Sequence, residues 1–198
     1  MNIKTLRTGV FVFAIVVIAA VSALLFRDQP GFRGTTYNEP YPSAPNFELT
    51  NASGSLFRLS GQSGKIVLLF FGYTSCPDVC PTTLAELNQA LQKIGNKADS
   101  VQVLLVSVDP ERDTPQRIQE YVKRFNPLFI GLSGSIDRLQ KIWDDYGIFR
   151  ETVQSDAGVI VNHTARVILI DQDVKMRLSY GFETPVEDIV HDLDLLLK

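Results

Sequence analysis

The chain has 198 residues, of which 45% are hydrophobic and 21% charged, a composition typical of a globular protein with a sizeable core. The formal net charge is -3 at pH 7, and nothing in the charge balance indicates the basic patch that a phosphate-binding surface would need. The sequence therefore predicts no nucleic-acid partner and no low-complexity architecture.

The first predicted element is an apolar segment near the N-terminus. Residues 8–26 contain no charged side chain, and the length of this segment approaches the ~20 residues needed to cross the core of a bilayer. Lys4 and Arg7 precede it and predict that the short N-terminus stays in the cytoplasm. A cleaved signal peptide is the alternative, with a candidate site at 21–23, but the apolar run continues past that site. We therefore predict a single retained transmembrane helix within residues 1–27.

The N-terminal pattern also predicts where the protein works and where its domain begins. An apolar segment this close to Met1 leaves no room for an organellar transit sequence, so we expect a bacterial inner-membrane protein whose domain faces the periplasm. Residues 28–45 are rich in proline and glycine, as expected of an extended linker. The globular domain is predicted at 46–198.

Alternating strand and helix patterns run through the predicted domain. Continuous apolar runs at 66–71 and 101–108 are typical of strands buried on both faces, and a short hairpin is predicted at 47–59. The remaining elements are predicted, in chain order, as helix 84–94, helix 114–124, strand 128–130, helix 136–146, strands 165–171 and 175–180, and helix 186–197. This order favours a thioredoxin-like α/β fold with a central mixed sheet flanked by helices, although order alone permits other α/β folds.

Both cysteines of the chain lie shortly after the first buried strand. Cys76 and Cys80 are separated by three residues, and each precedes a proline, which disfavours helical geometry. A regular helix is therefore predicted to begin at Pro81, with Cys80 near its N-cap. The carboxyl edge of an open α/β sheet is a usual place for a site, and a helix N-terminus lowers thiol pKa values. Thiols placed there suit nucleophilic chemistry or metal binding.

Three roles are open for this cysteine pair. A structural disulfide would close a very small loop and would contribute little stability. A redox dithiol of the thioredoxin type normally has two intervening residues and a cis-proline opposite, and no proline occurs between Pro127 and Pro185. A metal site would use two soft thiolates, which favour copper(I), with zinc as an alternative, and would need a third ligand.

His163 is the candidate third ligand. It is predicted to lie in a loop before the strand at 165–171. In the thioredoxin topology this loop faces the N-terminus of the first helix. Two thiolates and an imidazole can bind copper(I) or copper(II), whereas zinc would normally need a fourth ligand. A surface loop histidine is the alternative for His163, and His191 is predicted to be solvated. Asp78 is predicted to be a turn residue, with an auxiliary metal ligand as the alternative.

Four stretches of the domain carry a family resemblance: residues 71–84 (FGYTSCPDVCPTTL), 106–115 (VSVDPERDTP), 129–134 (FIGLSG) and 162–165 (NHTA). In this order they resemble the Sco/SenC family of copper chaperones for cytochrome c oxidase assembly. The resemblance implies that Cys76, Cys80 and His163 bind one copper ion. It also implies delivery of that copper to the dinuclear copper centre of oxidase subunit II, or care of that subunit's thiols. Asn162 departs from the aspartate usual in the family, and the tyrosine often found shortly before the histidine is absent.

Two further functions compete with a metallochaperone. A periplasmic thiol-disulfide reductase that keeps copper-site cysteines reduced would need only Cys76 and Cys80. A peroxidase or redox sensor is less well supported, because residues 72–75 lack the proline that peroxidases of this fold place before their cysteine. We therefore expect a metallochaperone rather than an enzyme, with thiol-disulfide oxidoreductase activity as the alternative. Its expected partners are oxidase subunit II, a copper donor, a thiol reductant and the membrane.

Overall fold

The structure, a computed structural model, describes residues 31–155 and 158–198. The predicted transmembrane helix at 1–27 lies outside these residues. No helix within the described ranges is long and apolar enough to span a membrane.

The described residues contain strands and helices in the alternating order that the sequence predicts. The strands are β1 (Thr35–Thr36), β2 (Glu48–Thr50), β3 (Leu56–Arg58), β4 (Ile66–Gly72), β5 (Val101–Ser107), β6 (Ile130–Leu132), β7 (Arg150–Ser155), β8 (Gly158–His163), β9 (Arg166–Ile170) and β10 (Met176–Gly181). The helices are α1 (Val79–Ile94), α2 (Pro115–Lys123), α3 (Ile136–Asp145) and α4 (Val186–Leu196), with 3-10 turns at Leu59–Gln62 and Gly95–Ser100.

A six-stranded mixed sheet forms the centre of the fold, in the order β1-β10-β9-β4-β5-β6. Strands β4, β5 and β6 run parallel, whereas β9 is antiparallel to β4 and β10 is antiparallel to β9. The predicted hairpin of β2 and β3 lies outside this sheet. The arrangement confirms the predicted thioredoxin-like α/β fold with its central mixed sheet.

The two central parallel strands are the most deeply buried part of the sheet. Every residue of β4 is buried, as expected for a strand covered on both faces. Trp143 packs in the same core, and its indole Nε1 donates a hydrogen bond to the Ser107 carbonyl at the end of β5 (3.1 Å). Because each large apolar side chain buried in this way contributes about 1.5–3 kcal/mol, the carboxyl ends of β4 and β5 are firmly fixed.

The described part of the predicted linker belongs to the compact unit, which begins at Phe32. Strand β1 pairs antiparallel with β10 at the edge of the sheet. The backbone amides of Arg33 and Gly34 donate hydrogen bonds to the buried Asp192 carboxylate at 2.9 and 2.8 Å. The proline-rich composition of this segment predicted an extended chain. Composition could not predict that the segment pairs with an edge strand and with a carboxylate distant in sequence.

Candidate metal centre

The two cysteines lie beyond the carboxyl end of β4. Helix α1 begins at Val79, so Cys80 lies in its first turn and Cys76 in the loop before it. The predicted helix start at Pro81 was therefore wrong by two residues. A first-turn proline is accommodated because the amide groups there have no intrahelical partner to lose.

The two thiols have opposite environments. Both cysteines are free; Cys80 is buried, whereas Cys76 is partly exposed, and the Cys80 amide donates a hydrogen bond to Cys76 Sγ at 3.4 Å. A hydrogen bond from the Cys80 side chain, helped by backbone amides, lowers the pKa of Cys76 to about 6 despite its partial burial. The same side-chain hydrogen bond, followed by burial, raises the pKa of Cys80. In the metal-free protein these shifts favour the thiolate at Cys76 over the thiolate at Cys80.

His163 is the last residue of β8 and does not lie in a loop as predicted. Strands β7 and β8 form a separate antiparallel hairpin in which Arg150 is opposite His163. The prediction missed this hairpin because the β7 side chains described are mostly exposed and show no apolar periodicity. The sequence signal that could have revealed it is Gly158, whose φ of 105° suits a turn between strands.

The histidine and the buried cysteine are separated by a distance that suits a shared metal ion. His163 Nε2 lies 3.9 Å from Cys80 Sγ. Thiolate sulfur and imidazole nitrogen bind ions such as zinc at about 2.3 and 2.0 Å, which places the two ligand atoms about 3.7 Å apart at a trigonal centre. His163 Nδ1 lies 3.1 Å from the Thr164 carbonyl oxygen, so a proton on Nδ1 is donated there and the Nε2 lone pair faces the sulfur.

The protonation state of His163 also suits ligation. Burial lowers the pKa of His163, which favours the neutral imidazole that metals require. The ring packs edge-on against Tyr73, with the two ring centres 5.9 Å apart. Within residues 31–155 and 158–198, no three His, Cys, Asp or Glu side chains are already gathered as a complete ligand set. The three side chains would therefore have to come closer together around a bound ion.

An open pocket of about 230 Å³ gives access to the site. Cys76 and His163 line it together with Asp78 and Asn162, which are both exposed. The Asp78 carboxylate accepts a hydrogen bond from the Thr82 hydroxyl at 3.3 Å, which is consistent with the predicted role in the turn before α1. Any partner that exchanges a metal ion with the cysteines would contact the pocket rim, which Asp78 and Asn162 form.

His191, which the sequence predicts to be solvated, is only partly exposed. It lies on α4, away from the pocket-lining residues, and 25% of its side chain is exposed. Its Nδ1 atom lies 2.9 Å from the carboxylate of the buried Asp192. His191 therefore belongs to the contacts that hold the chain near residue 33, and not to the cysteine site.

A buried carboxylate, Asp113, lies beneath the cysteine loop, and the sequence pattern did not reveal it. Asp113 is 1% exposed and accepts hydrogen bonds from the Ser107 hydroxyl at 2.9 Å and from the amide and hydroxyl of Thr74. Burial raises its pKa. The signal available was its place after a buried strand, at the sheet edge where sites form. Asp113 holds the loop that leads to Cys76.

The fold and the site together define a class: a thioredoxin-like protein with a free thiol pair at a helix N-terminus and a histidine facing the buried thiol. Residues 35–198 match the SCO1/SenC family, and the chain belongs to that family. This confirms the resemblance found in the sequence.

Individual relatives support the assignment over most of the domain. An SCO2-like protein of Rickettsia conorii is 31% identical over 160 residues, covering 79% of this chain and 78% of the relative. The solution structure of apo Sco1 from Thermus thermophilus is 38% identical with a TM-score of 0.76, covering 85% of this chain and 99% of that one. A structure of Bradyrhizobium japonicum ScoI with copper bound is 35% identical with a TM-score of 0.71, covering 78% and 99%. Copper is thus bound in a homologous structure of the family.

Proposed function

We propose that this protein binds one copper ion through Cys76, Cys80 and His163 and delivers it to the dinuclear copper centre of cytochrome c oxidase subunit II. The observation that carries the proposal is the 3.9 Å separation of His163 Nε2 and Cys80 Sγ, beside the Cys76 thiolate. Two soft sulfurs suit copper(I), and the imidazole suits copper(II), so one site serves both oxidation states. The copper-bound relative from Bradyrhizobium japonicum supports the choice of metal.

The different exposure of the two thiols suits loading and release of the ion. Cys76 is partly exposed at the pocket and its pKa is lowered, so it offers the first contact to copper held by a donor. Cys80 is buried and releases its proton when it becomes a ligand. A three-ligand set leaves a position at which a receiving protein can add its own cysteine or histidine, which allows transfer by ligand exchange.

The proposal includes a cellular setting taken from the sequence. Residues 1–27 anchor the protein in a bacterial inner membrane, and the domain faces the periplasm. A copper donor supplies the ion, and a thiol reductant keeps Cys76 and Cys80 from forming a disulfide in that oxidising compartment. Asp78 is assigned to the turn and the pocket rim and not to the ligand set.

Copper(I) affinity tests the three-ligand site directly. The full chain in detergent is reduced, loaded anaerobically and titrated with a calibrated copper(I) chelator, as wild type, His163→Ala and His191→Gln. We expect one-to-one binding by the wild type, a loss of at least about tenfold for His163→Ala, and no change for His191→Gln. Equal affinity of the His163→Ala variant and the wild type would refute the three-ligand site.

Delivery to the oxidase is tested separately in cells. Strains that express the His163→Ala variant in place of the wild type should contain oxidase subunit II that lacks copper, and growth medium with excess copper should partly restore it. Fully loaded subunit II in the variant strain at limiting copper would contradict delivery by this protein.

A thiol-disulfide reductase is the second candidate, favoured by the partly exposed Cys76, whose pKa is lowered, and the buried Cys80 four residues later. The Cys76 thiolate would attack a partner disulfide to form a mixed disulfide and release one partner thiolate, which takes up a proton. Cys80, after losing its proton to solvent, would then attack Cys76 Sγ, so that the partner leaves as a dithiol and Cys76–Cys80 is oxidised. This activity should survive His163→Ala and be lost in either cysteine variant, as measured by reduction of a model disulfide.

A further inference from the structure

The hairpin that carries His163 is held to the domain by side-chain contacts, among them Arg150, which lies opposite His163 and whose Nε donates a hydrogen bond to the Val108 carbonyl oxygen at 2.6 Å. Strands β7 and β8 pair with each other and with no strand of the central sheet. An isolated two-stranded hairpin is only marginally stable in water, so its position must come from contacts with the rest of the protein. The contacts that reach β8 therefore decide where His163 lies.

Arg112 provides such a contact at the second residue of β8. Its Nη1 atom donates a hydrogen bond to the Val159 carbonyl oxygen of β8 at 2.8 Å, four residues before His163. Its Nε atom donates to the carboxylate of Asp109, which is 2% exposed at the end of β5. A planar guanidinium can make both contacts at once because its donors form a fixed fork.

Tyr73 adds a second contact to the same place. The Arg112 guanidinium carbon lies 5.6 Å from the centre of the Tyr73 ring, within the range of a cation–π interaction. The Tyr73 hydroxyl accepts a hydrogen bond from the Val161 amide of β8 at 3.4 Å, and its ring packs against that of His163. Arg112 thus joins the sheet edge, the tyrosine and the histidine strand.

We propose that Asp109 and Arg112 form a latch that fixes β8 and thereby holds His163 Nε2 within reach of Cys80. Arg112 is a positioning residue: it touches the strand and not the proposed ligands, and its effect on copper rests on the proposed function of Cys76, Cys80 and His163. Releasing the latch leaves both thiols in place and allows the histidine to move away from them.

A double-mutant cycle tests this coupling. Copper(I) affinity is measured for the full chain in detergent as wild type, Arg112→Met, His163→Ala and the combined variant. We expect about a tenfold loss for Arg112→Met, the range found for groups that orient metal ligands, and no further loss when it is combined with His163→Ala. Arg124→Met, which removes the same charge from an exposed site at the end of α2, should bind copper as the wild type does.

Two further variants separate the latch from a general loss of stability. Arg112→Met leaves the buried Asp109 carboxylate without its cation, so the Asp109→Asn/Arg112→Met pair is measured as well. We expect it to show the same affinity loss with a smaller change in unfolding. Arg112→Lys keeps the positive charge but loses the planar set of donors. Its copper(I) affinity should therefore lie between those of Arg112→Met and the wild type.

Hydrogen exchange in the metal-free protein provides an independent test of the latch. The amides of Ile160 and Val161 should exchange about tenfold faster in the Arg112→Met variant, while amides of β4 remain protected. Unchanged exchange in β8, or an affinity loss that persists in full without His163, would overturn the proposal. If His163→Ala itself leaves copper affinity unchanged, the proposed copper site fails, whereas faster exchange in β8 would still show that Arg112 holds the strand.

Discussion

The two sides of the cysteine–histidine site are built very differently. The cysteines lie on a loop and helix that continue from β4, a strand buried at every residue and paired on both sides within the six-stranded sheet. His163 ends a two-stranded hairpin outside that sheet, held by side-chain contacts of Arg112, Tyr73 and Arg150. In the proposed copper site, the thiols would therefore form a fixed platform and the imidazole an adjustable third ligand.

This division has a functional consequence for the proposed metallochaperone, which would both hold and release a metal ion. Two thiolates on a rigid platform would retain copper(I) through most steps, since soft sulfur donors contribute most to binding that ion. A third ligand on a weakly attached hairpin would withdraw without disturbing the fold. Local elements of low stability are where such motions are usually found.

Removing a thiol should have the largest effect. Cys76→Ser and Cys80→Ser should each lower copper(I) affinity by much more than the change expected for His163→Ala, because they remove part of the platform itself. Chelator competition measures the affinity, and thermal unfolding of the metal-free variants checks that the fold is retained. A cysteine variant that binds as tightly as the His163→Ala variant would contradict the division between platform and adjustable ligand.

Adding a methyl group at Gly72, next to the Cys80 sulfur, should have the next largest effect. A Cβ atom at Gly72 would lie 2.9 Å from Cys80 Sγ and 3.1 Å from the Leu105 side chain. Gly72→Ala should therefore lower the free energy of unfolding by about 1–3 kcal/mol and weaken copper binding by displacing the sulfur. Gly181→Ala is the matched control, since nothing lies within 4 Å of a Cβ at that end of β10. Equal denaturant midpoints for the two variants would show that the platform is not tightly packed.

The two thiols should differ in their dependence on pH. The pKa of Cys76 is lowered to about 6, so in the metal-free protein its alkylation by iodoacetamide should be slow below that pH and should level off above it. Cys80, buried and with a raised pKa, should react slowly throughout. Mass spectrometry of peptides that contain Cys76 or Cys80 measures both rates.

A control variant tests the cause of the lowered pKa. The hydrogen bond from the Cys80 side chain is its largest cause, so Cys80→Ala should move the midpoint of Cys76 alkylation to higher pH. A midpoint near the ordinary value of a free cysteine, about 8.5, in the wild-type protein would contradict the proposed thiolate.

The smallest effect is expected at the pocket rim. Asp78 is exposed and its carboxylate accepts a hydrogen bond from Thr82, so Asp78→Asn should change copper(I) affinity by less than about twofold, as surface substitutions usually do. Chelator competition beside the wild type measures the change. A loss as large as that of His163→Ala would make Asp78 a ligand.

The sequence predicted those features that depend on local pattern. Continuous apolar runs identified β4 and β5, and the spacing of Cys76 and Cys80 after β4 placed the thiol pair at the sheet edge. The expected thioredoxin topology made His163 the candidate partner of those thiols, the resemblance to a family implied the same residue, and the structure places it beside Cys80. These features could be read from the chain because each rests on neighbouring residues or on a recognised motif.

The features that were missed depend on contacts between distant parts of the chain. The hairpin of β7 and β8 has few buried side chains, so apolar periodicity did not reveal it. The burial of Asp109 and Asp113 was not predicted either, and both are buried because Arg112, Ser107 and Thr74 satisfy their carboxylates. Charged side chains are rarely buried without such partners, and partners far along the chain cannot be assigned from composition.

X-ray absorption at the copper edge, measured on the full chain loaded anaerobically with one equivalent of copper(I), tests the central claim most directly. The proposed site predicts two sulfur ligands at about 2.3 Å and one nitrogen ligand at about 2.0 Å, with the nitrogen signal lost in the His163→Ala variant while both sulfurs remain. Two sulfurs without nitrogen in the wild type, or a nitrogen signal unchanged by His163→Ala, would contradict a fixed thiol platform completed by His163.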